Sequence, residues 1–336
     1  MTELLEFKNV TKIYSRGLVS KTSTTALKNT SFKLAQDDPT IMTVAGESGS
    51  GKTTLAKLLL GFIPATSGQI LYKGKDISKL KGEERMIFRR EVQAVFQDPF
   101  AVFNPFYTVD HLLTVPIKKF KLANSKSEVK EKMVEALTAV GLHPQDILGR
   151  FPHQLSGGQR QRINVARALV LRPKVLVADE PVSMVDASLR ANILELLQSL
   201  QKEHGVSIIY ITHDLTTAYH VARSIIVLYR GTVMEVGDVD RVIKKPQHPY
   251  TRLLIDSIPW PELNRRWGET EIIAREADIR EVGEGCKFYG RCPFAVEKCE
   301  VFPPLFKLNE QQAVSCFLFD ENPQIASENI SELMPI

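Results

Sequence analysis

Short apolar, β-branched runs recur along the first three quarters of the chain and are separated by stretches with helical spacing. Leu4–Val10 and Ser31–Leu34 predict strands, and Thr40–Ala45 predicts a compact strand that runs straight into a glycine-rich loop. Thr53–Leu60 has helical composition and opens directly after that loop. Ser125–Val140 places apolar residues at three- and four-residue spacing, and a further helix is expected from Pro152 through Arg160–Leu171. Lys174–Ala178, Val206–Ile211 and Ser224–Tyr229 read as buried strands, with a helix over Ala187–Leu200. Strands alternating with helices predict an α/β fold with a mainly parallel sheet. The helical stretch from about 99 to 171 is expected as a subdomain inserted between sheet strands.

A boundary near Lys244–Pro249 separates residues 1–245 from an extension over 246–336. Beyond it the alternation weakens, prolines recur at Pro259, Pro261, Pro293, Pro303 and Pro304, and all four cysteines appear. The last stretch, about Asn322–Ile336, is expected to be loosely ordered.

Composition changes this picture little. Hydrophobic residues at 43% and charged residues at 24% are ordinary for a globular chain that builds a sizeable core. The net charge of +4 comes from scattered residues and marks no nucleic-acid surface. No apolar run approaches the ~18–20 residues that span a bilayer. The start, Met1-Thr-Glu-Leu-Leu-Glu6, lacks a basic leader, so a cytosolic location is expected, with any membrane contact made through a partner.

Gly46-Glu-Ser-Gly-Ser-Gly-Lys-Thr53 matches the phosphate-loop pattern between a predicted strand and a predicted helix. Its glycines let backbone N–H groups turn inward, and the helix that follows aims its positive end at an anion. Lys52 is expected to reach the β- and γ-phosphates, and the Thr53 hydroxyl to hold Mg²⁺. Lys174–Glu180 is an apolar strand ending in two acids: Asp179 suits Mg²⁺, and Glu180 suits a general base for the attacking water. The competing reading of these acids is an N-cap for the next helix. Leu155-Ser-Gly-Gly-Gln159 supplies a second anion-binding helix start in the same chain, where the competing reading is an ordinary serine cap. Two subunits placed head to tail would let one ATP use both sites.

Taken together these residues resemble the ABC (ATP-binding cassette) ATPase family over about residues 4–258. The resemblance implies a cassette with a mainly parallel core sheet, an antiparallel β subdomain and the inserted helical subdomain. It implies ATP held by Gly46, Glu47, Ser48, Gly49, Ser50, Gly51, Lys52, Thr53 and Thr54, and completed across a dimer by Ser156, Gly157, Gly158 and Gln159 of a signature motif. Gln97, in Val95-Phe-Gln-Asp-Pro99, matches the glutamine that touches Mg²⁺ and water. His213 matches the switch histidine, and Tyr14 the aromatic that stacks on adenine. The loop after Glu180 departs from the usual Ser-Ala-Leu-Asp and reads Ser183-Met-Val-Asp186. With Lys52, Gln97, Ser156, Glu180 and His213 all present, ATP hydrolysis is expected. A soluble ABC ATPase of repair or translation type is the alternative, but the two cassettes or long coiled-coil insertions usual there are missing.

Within the family, Gln97–Pro105, Phe151–Ser156, Glu180–Ser183 and His248-Pro-Tyr-Thr-Arg252 are similar to the peptide-importer subfamily, which serves oligopeptide, dipeptide, nickel or oligosaccharide uptake. That likeness implies a paralogous ATPase partner (or a second copy), two membrane permease subunits and an extracytoplasmic binding protein, with the chain on the cytoplasmic face of the membrane. Cys286, Cys292, Cys299 and Cys316 could enclose a [4Fe–4S] cluster or Zn²⁺, the competing reading being four buried or free thiols. The missing close Cys-x2-Cys pairs disfavour zinc, and the subfamily resemblance favours iron–sulfur.

Overall fold

The computed structural model describes residues 3–16, 22–98, 102–258 and 285–334. Pro99, Phe100 and Ala101 of the Gln97–Pro105 motif, and Pro259 and Pro261, lie outside the described residues.

Two sheets organise the chain. The first is antiparallel, in the order β2 (Thr22–Ala35), β1 (Glu3–Arg16), β4 (Ser67–Tyr72), β5 (Lys75–Asp76). Its first two strands are longer than the apolar runs alone predict, because pairing carries them on through the polar stretch to Arg16↔Thr22. In the second sheet β3 (Ile41–Ala45) lies inside, flanked by β8 (Ser207–Thr212) and β9 (Ser224–Tyr229). Beyond β8 lie β7 (Val175–Asp179) and β6 (Val92–Val95), and every pair from β9 to β6 is parallel. These strands are apolar on both faces because helices cover both sides.

The helices among the described residues are α1 (Lys52–Leu59), α2 (Gly82–Glu91), α3 (Val109–Lys119), α4 (Lys126–Ala139), α5 (Pro144–Ile147), α6 (Gly157–Leu169), α7 (Ala187–His204), α8 (Leu215–Val221), α9 (Val239–Lys244) and α10 (Pro249–Asp256). Helices α3 to α6 fall between the parallel neighbours β6 and β7 in sequence. The single helix expected from Pro152 onward is two elements: a 3₁₀ turn over Pro152–Gln154, then α6. Leu155 and Ser156 between them are extended, because Ser156 is spent capping α6.

On the other edge β10 (Thr232–Asp238) turns the sheet antiparallel, and the C-terminal extension continues it through β12 (Gln312–Val314), β11 (Leu305–Asn309) and β13 (Gln324–Ile325). The loose ordering expected from Asn322 is therefore not found over the described residues. Ile330 and Leu333, spaced three apart in a 3₁₀ turn over Ser327–Leu333, are 1% and 2% exposed and join the core beneath the antiparallel sheet with Phe7 and Phe32. Burying two such side chains stabilises the segment by about 1.5–3 kcal/mol each. Asn29 Nδ2 donates to Ser327 Oγ at 3.2 Å, adding a polar tie to β2.

Candidate functional site

The loop between β3 and α1 is shaped by what surrounds it. Gly46 has φ +149°, and a Cβ there would meet the Leu228 carbonyl oxygen at 2.1 Å; at Gly51, φ +108°, it would meet the Ala26 carbonyl oxygen at 2.4 Å. Neighbouring backbone thus presses on the loop from β9 and from β2, and only glycine fits both places. Gly231 N–H donates to the Ser50 carbonyl at 2.8 Å. Lys52 is buried and turned onto its own loop, where Nζ donates to the carbonyls of Gly46 (2.6 Å) and Glu47 (2.8 Å). Burial pulls its pKa below the ordinary lysine value, opposed by the charges of Glu180, Asp179 and Glu47. Ser48, Gly49 and Thr53 are exposed, while Thr54 and Glu47 are partly so.

At the end of β7, burial and then the adjacent Glu180 charge push the Asp179 carboxyl above its usual range, with Lys52 and Lys57 pulling the other way. Both acids act on Lys52 through their charge, which places the strand end in the field of the phosphate loop. Glu180 adopts φ +47°, a left-handed conformation uncommon outside glycine that costs about 1 kcal/mol or more. Its N–H donates to the Ile211 carbonyl at 2.9 Å, and its own carbonyl accepts from Ser183 N (3.2 Å) and Ser183 Oγ (3.0 Å). These bonds hold the strained turn and point the carboxylate at two partners. Gln97 Nε2 donates to Glu180 Oε2 at 2.9 Å, and His213 Nδ1 lies 2.9 Å from Glu180 Oε1. Three residues from three separate strand ends therefore meet at one carboxylate.

The signature segment is arranged differently. Ser156 Oγ accepts from Gln159 N at 3.2 Å, and Gln159 Oε1 accepts from Ser156 N at 2.9 Å. This reciprocal capping box is the serine-cap geometry weighed above. Gln161, buried, donates to the Pro181 carbonyl at 2.8 Å and ties α6 to the loop after Glu180. Ser156 is exposed, Gly157 and Gln159 are partly exposed, and Gly158 is buried. Tyr14 is 42% exposed on β1 and pairs with Thr24, two residues from the Ala26 that abuts Gly51.

The four cysteines share one neighbourhood. Burial first, then the charges of Cys299, Cys292 and Cys316, push the Cys286 thiol up to about 12, and Cys286 N–H donates to the Cys299 carbonyl at 2.9 Å. Yet among the described residues no three His, Cys, Asp or Glu side chains gather closely enough to hold a metal ion. The expectation of a [4Fe–4S] or Zn²⁺ cage is therefore not supported by this geometry; Cys286, Cys292 and Cys299 instead belong to an apolar cluster that includes Phe288 and Phe302.

Sequence reasoning gave no role to Tyr250 or Arg291, both of which touch the phosphate loop. Glu47 N–H donates to Tyr250 Oη at 2.8 Å, and Arg291 makes two bonds to the Glu47 carboxylate. The one signal available was the His248–Arg252 motif, noted without a function.

A phosphate loop and a strand-end acid pair, its glutamate held by a glutamine and a histidine, on this mixed sheet define a P-loop ATPase with the cassette fold. A family model described as ABC transporter matches residues 27–183, and one described as Oligopeptide/dipeptide transporter, C-terminal region, matches residues 234–299. The chain is 39% identical to the Probable peptide ABC transporter ATP-binding protein y4tS of Sinorhizobium fredii, over 87% of this chain and 82% of that protein. It is 38% identical to the Oligopeptide transport ATP-binding protein OppF of Escherichia coli, over 82% and 83%. Among solved structures, the post-hydrolysis dimer of the cassette MJ0796 bound to ADP and Pi superposes with a TM-score of 0.62 at 30% identity, covering 70% of this chain and 98% of that one. CbiO1 of Clostridium perfringens, part of the transporter complex cbiONQ, gives 0.62 at 26% identity, covering 73% and 92%. The chain belongs to the ABC transporter ATP-binding family. It is an ATPase subunit of a transporter, and among its described residues no helix is long and apolar enough to cross a membrane.

Proposed function

We propose that the chain powers peptide import by hydrolysing ATP at an interface between two cassettes, beneath a separate permease. The observation that carries this reading is the Glu180 carboxylate, gripped by Gln97 and His213 at 2.9 Å each beside the Lys52 loop. A carboxylate so held accepts a proton from water as the water oxygen attacks the γ-phosphorus and the bond to ADP breaks. Gln97 and His213 orient that carboxylate, and Lys52 with the loop amides receives the phosphate charge. The hydroxyl of Thr53, the Asp179 carboxylate and the Gln97 amide are hard oxygen donors suited to Mg²⁺, and the raised Asp179 carboxyl is what a nearby cation would relieve. When bound, Mg²⁺ supplies charge neutralisation on the phosphate oxygens.

Ser156–Gln159, whose hydrogen bonds close on its own helix turn, is assigned to a neighbour's nucleotide. A relative solved as a dimer with ADP and Pi supports that arrangement. The neighbour is a paralogous ATPase subunit or a second copy. A groove of about 450 Å³ between Gln93 and Leu171, with Phe103, Tyr107 and Leu112 in its wall, suits an apolar permease element on the cytoplasmic face of the membrane. Phe106 beside it is 86% exposed. The names of relatives support peptide cargo, delivered to the permease by an extracytoplasmic binding protein. For the tail, the [4Fe–4S] reading rests on the spacing of Cys286, Cys292, Cys299 and Cys316 and on the subfamily resemblance; anaerobic protein containing roughly four irons per chain would support it, and iron-free protein would end it.

The dimer is tested with Glu180→Gln, which should bind ATP without turning it over. With Mg-ATP it should elute as a dimer, and Ser156→Arg on one chain should abolish nucleotide trapping by its partner's Lys52 loop. ATP bound stoichiometrically by a monomer would overturn the reading.

A further inference from the structure

The phosphate loop is held from outside the cassette. Glu47 is its first variable residue, and both of its polar ends are occupied by the C-terminal part of the chain. Its N–H donates to Tyr250 Oη at 2.8 Å. Its carboxylate accepts from Arg291 through two parallel bonds, Nη1 to Oε2 at 2.9 Å and Nη2 to Oε1 at 3.0 Å. Such a paired fork fixes orientation as well as charge. Arg291 Nη1 also donates to Tyr229 Oη at 3.3 Å, and the guanidinium lies 5.5 Å from the Phe288 ring centre.

Neither brace is free to drift. Tyr250 is fully buried, its ring 4.5 Å from that of Tyr229 and 5.5 Å from that of Phe288. It stands at the start of α10, where its N–H donates to the capping His248 Nδ1 at 3.0 Å. The N–H groups of Gln247 and His248 donate to the buried Glu235 carboxylate at 3.0 and 2.9 Å, and Gln312 Nε2 reaches the same carboxylate at 2.8 Å. One acid thus pins β10, the 245–248 linker and β12 together. Arg291 is set by the cysteine loop, closed by Cys286 N–H on the Cys299 carbonyl at 2.9 Å.

We propose that Tyr250 and Arg291 are positioning residues of the phosphate loop, through which the C-terminal extension sets ATP affinity. The physical reason is charge as much as shape. Glu47 is one of the acids whose field Lys52 feels. Left unpaired, its carboxylate would stand beside an incoming triphosphate and repel it; paired with Arg291 it is neutralised and folded away. Tyr250 meanwhile keeps the Glu47 N–H turned out of the loop, which fixes the orientation of the amides that follow. This deepens the phosphate-loop assignment and rests on it.

The test measures fluorescent-ATP affinity and steady-state kcat and KM on the full chain. Arg291→Gln and Tyr250→Phe should each weaken ATP binding by about fivefold, with kcat at saturation changed by less than about twofold. In a Glu47→Gln background, where no negative charge remains to be released, adding Arg291→Gln should weaken binding by less than about twofold. Arg291→Lys, which keeps the charge but loses the fork, should fall between wild type and Arg291→Gln and serves if the glutamine variant fails to fold. Equal losses in both backgrounds would show a merely structural effect and overturn the proposal. So would unchanged affinity in Arg291→Gln alongside normal wild-type binding. Wild-type protein that binds no ATP would instead remove the phosphate-loop assignment itself.

Discussion

Replacing Glu180 by glutamine isolates the chemistry from the architecture. The side chain keeps its length and its place between Gln97 Nε2 and His213 Nδ1, both now 2.9 Å from the carboxylate, and its one remaining oxygen can still accept from the glutamine. The left-handed turn at φ +47° is held by backbone bonds to Ile211 and Ser183, which the substitution leaves alone. What disappears is the proposed proton acceptor. General-base assistance contributes roughly 10²–10⁴ in rate, or about 3–5 kcal/mol of barrier. Phosphate release at saturating Mg-ATP should therefore fall by that factor, while KM for ATP moves by less than about threefold because the Lys52 loop is untouched. A kcat within about tenfold of wild type would refute the assignment and place the base elsewhere.

Other outcomes follow from the same geometry. His248 is 1% exposed, and burial, followed by the charge of Arg252, lowers its pKa to about 3, whereas the unfolded chain titrates near the ordinary value of 6.5. Between those values only the unfolded state takes up the proton. The stability contributed by neutral His248 is thus complete above about pH 6.5 and falls by about 1.4 kcal/mol per pH unit below it. His248→Asn retains a cap acceptor for the Tyr250 N–H but does not titrate, so its denaturation midpoint should vary less between pH 7 and 5; an unchanged slope would contradict this. Ile330→Ala and Leu333→Ala should each cost about 2–4 kcal/mol in chemical denaturation, and losses below about 0.5 kcal/mol would mean the 327–333 turn does not pack as described. Phe106→Ser should leave the ATPase rate of the isolated chain within about twofold but lower ATP-driven uptake in vesicles carrying the permease. Full uptake would argue against docking at that groove.

Much of the candidate site was legible from residue order because it is local. A strand, a glycine-bearing turn and a helix start lie within a dozen residues, so β3, the 46–53 loop and α1 could be read directly, as could the acid pair at the end of β7. The same holds for the cap at Ser156, a property of four consecutive residues. The break between Pro152–Gln154 and α6 was missed because helical composition on both sides hides a serine that must be extended to cap.

Tertiary structure decided the rest, for reasons of sequence distance. Gln97 and Glu180 stand 83 positions apart, and only the parallel register of β6 on β7 brings them within a hydrogen bond. The extension read as a loosely ended tail because its strands are two to five residues long and gain their burial only by continuing the sheet beyond β10. Of the four cysteines, suggestive by spacing, three pack into an apolar cluster with Phe288 and Phe302, a neighbourhood no spacing reveals. Likewise the 244 positions between Glu47 and Arg291 conceal an ion pair that exists only once the sheet edge has folded the chain's end back over its phosphate loop.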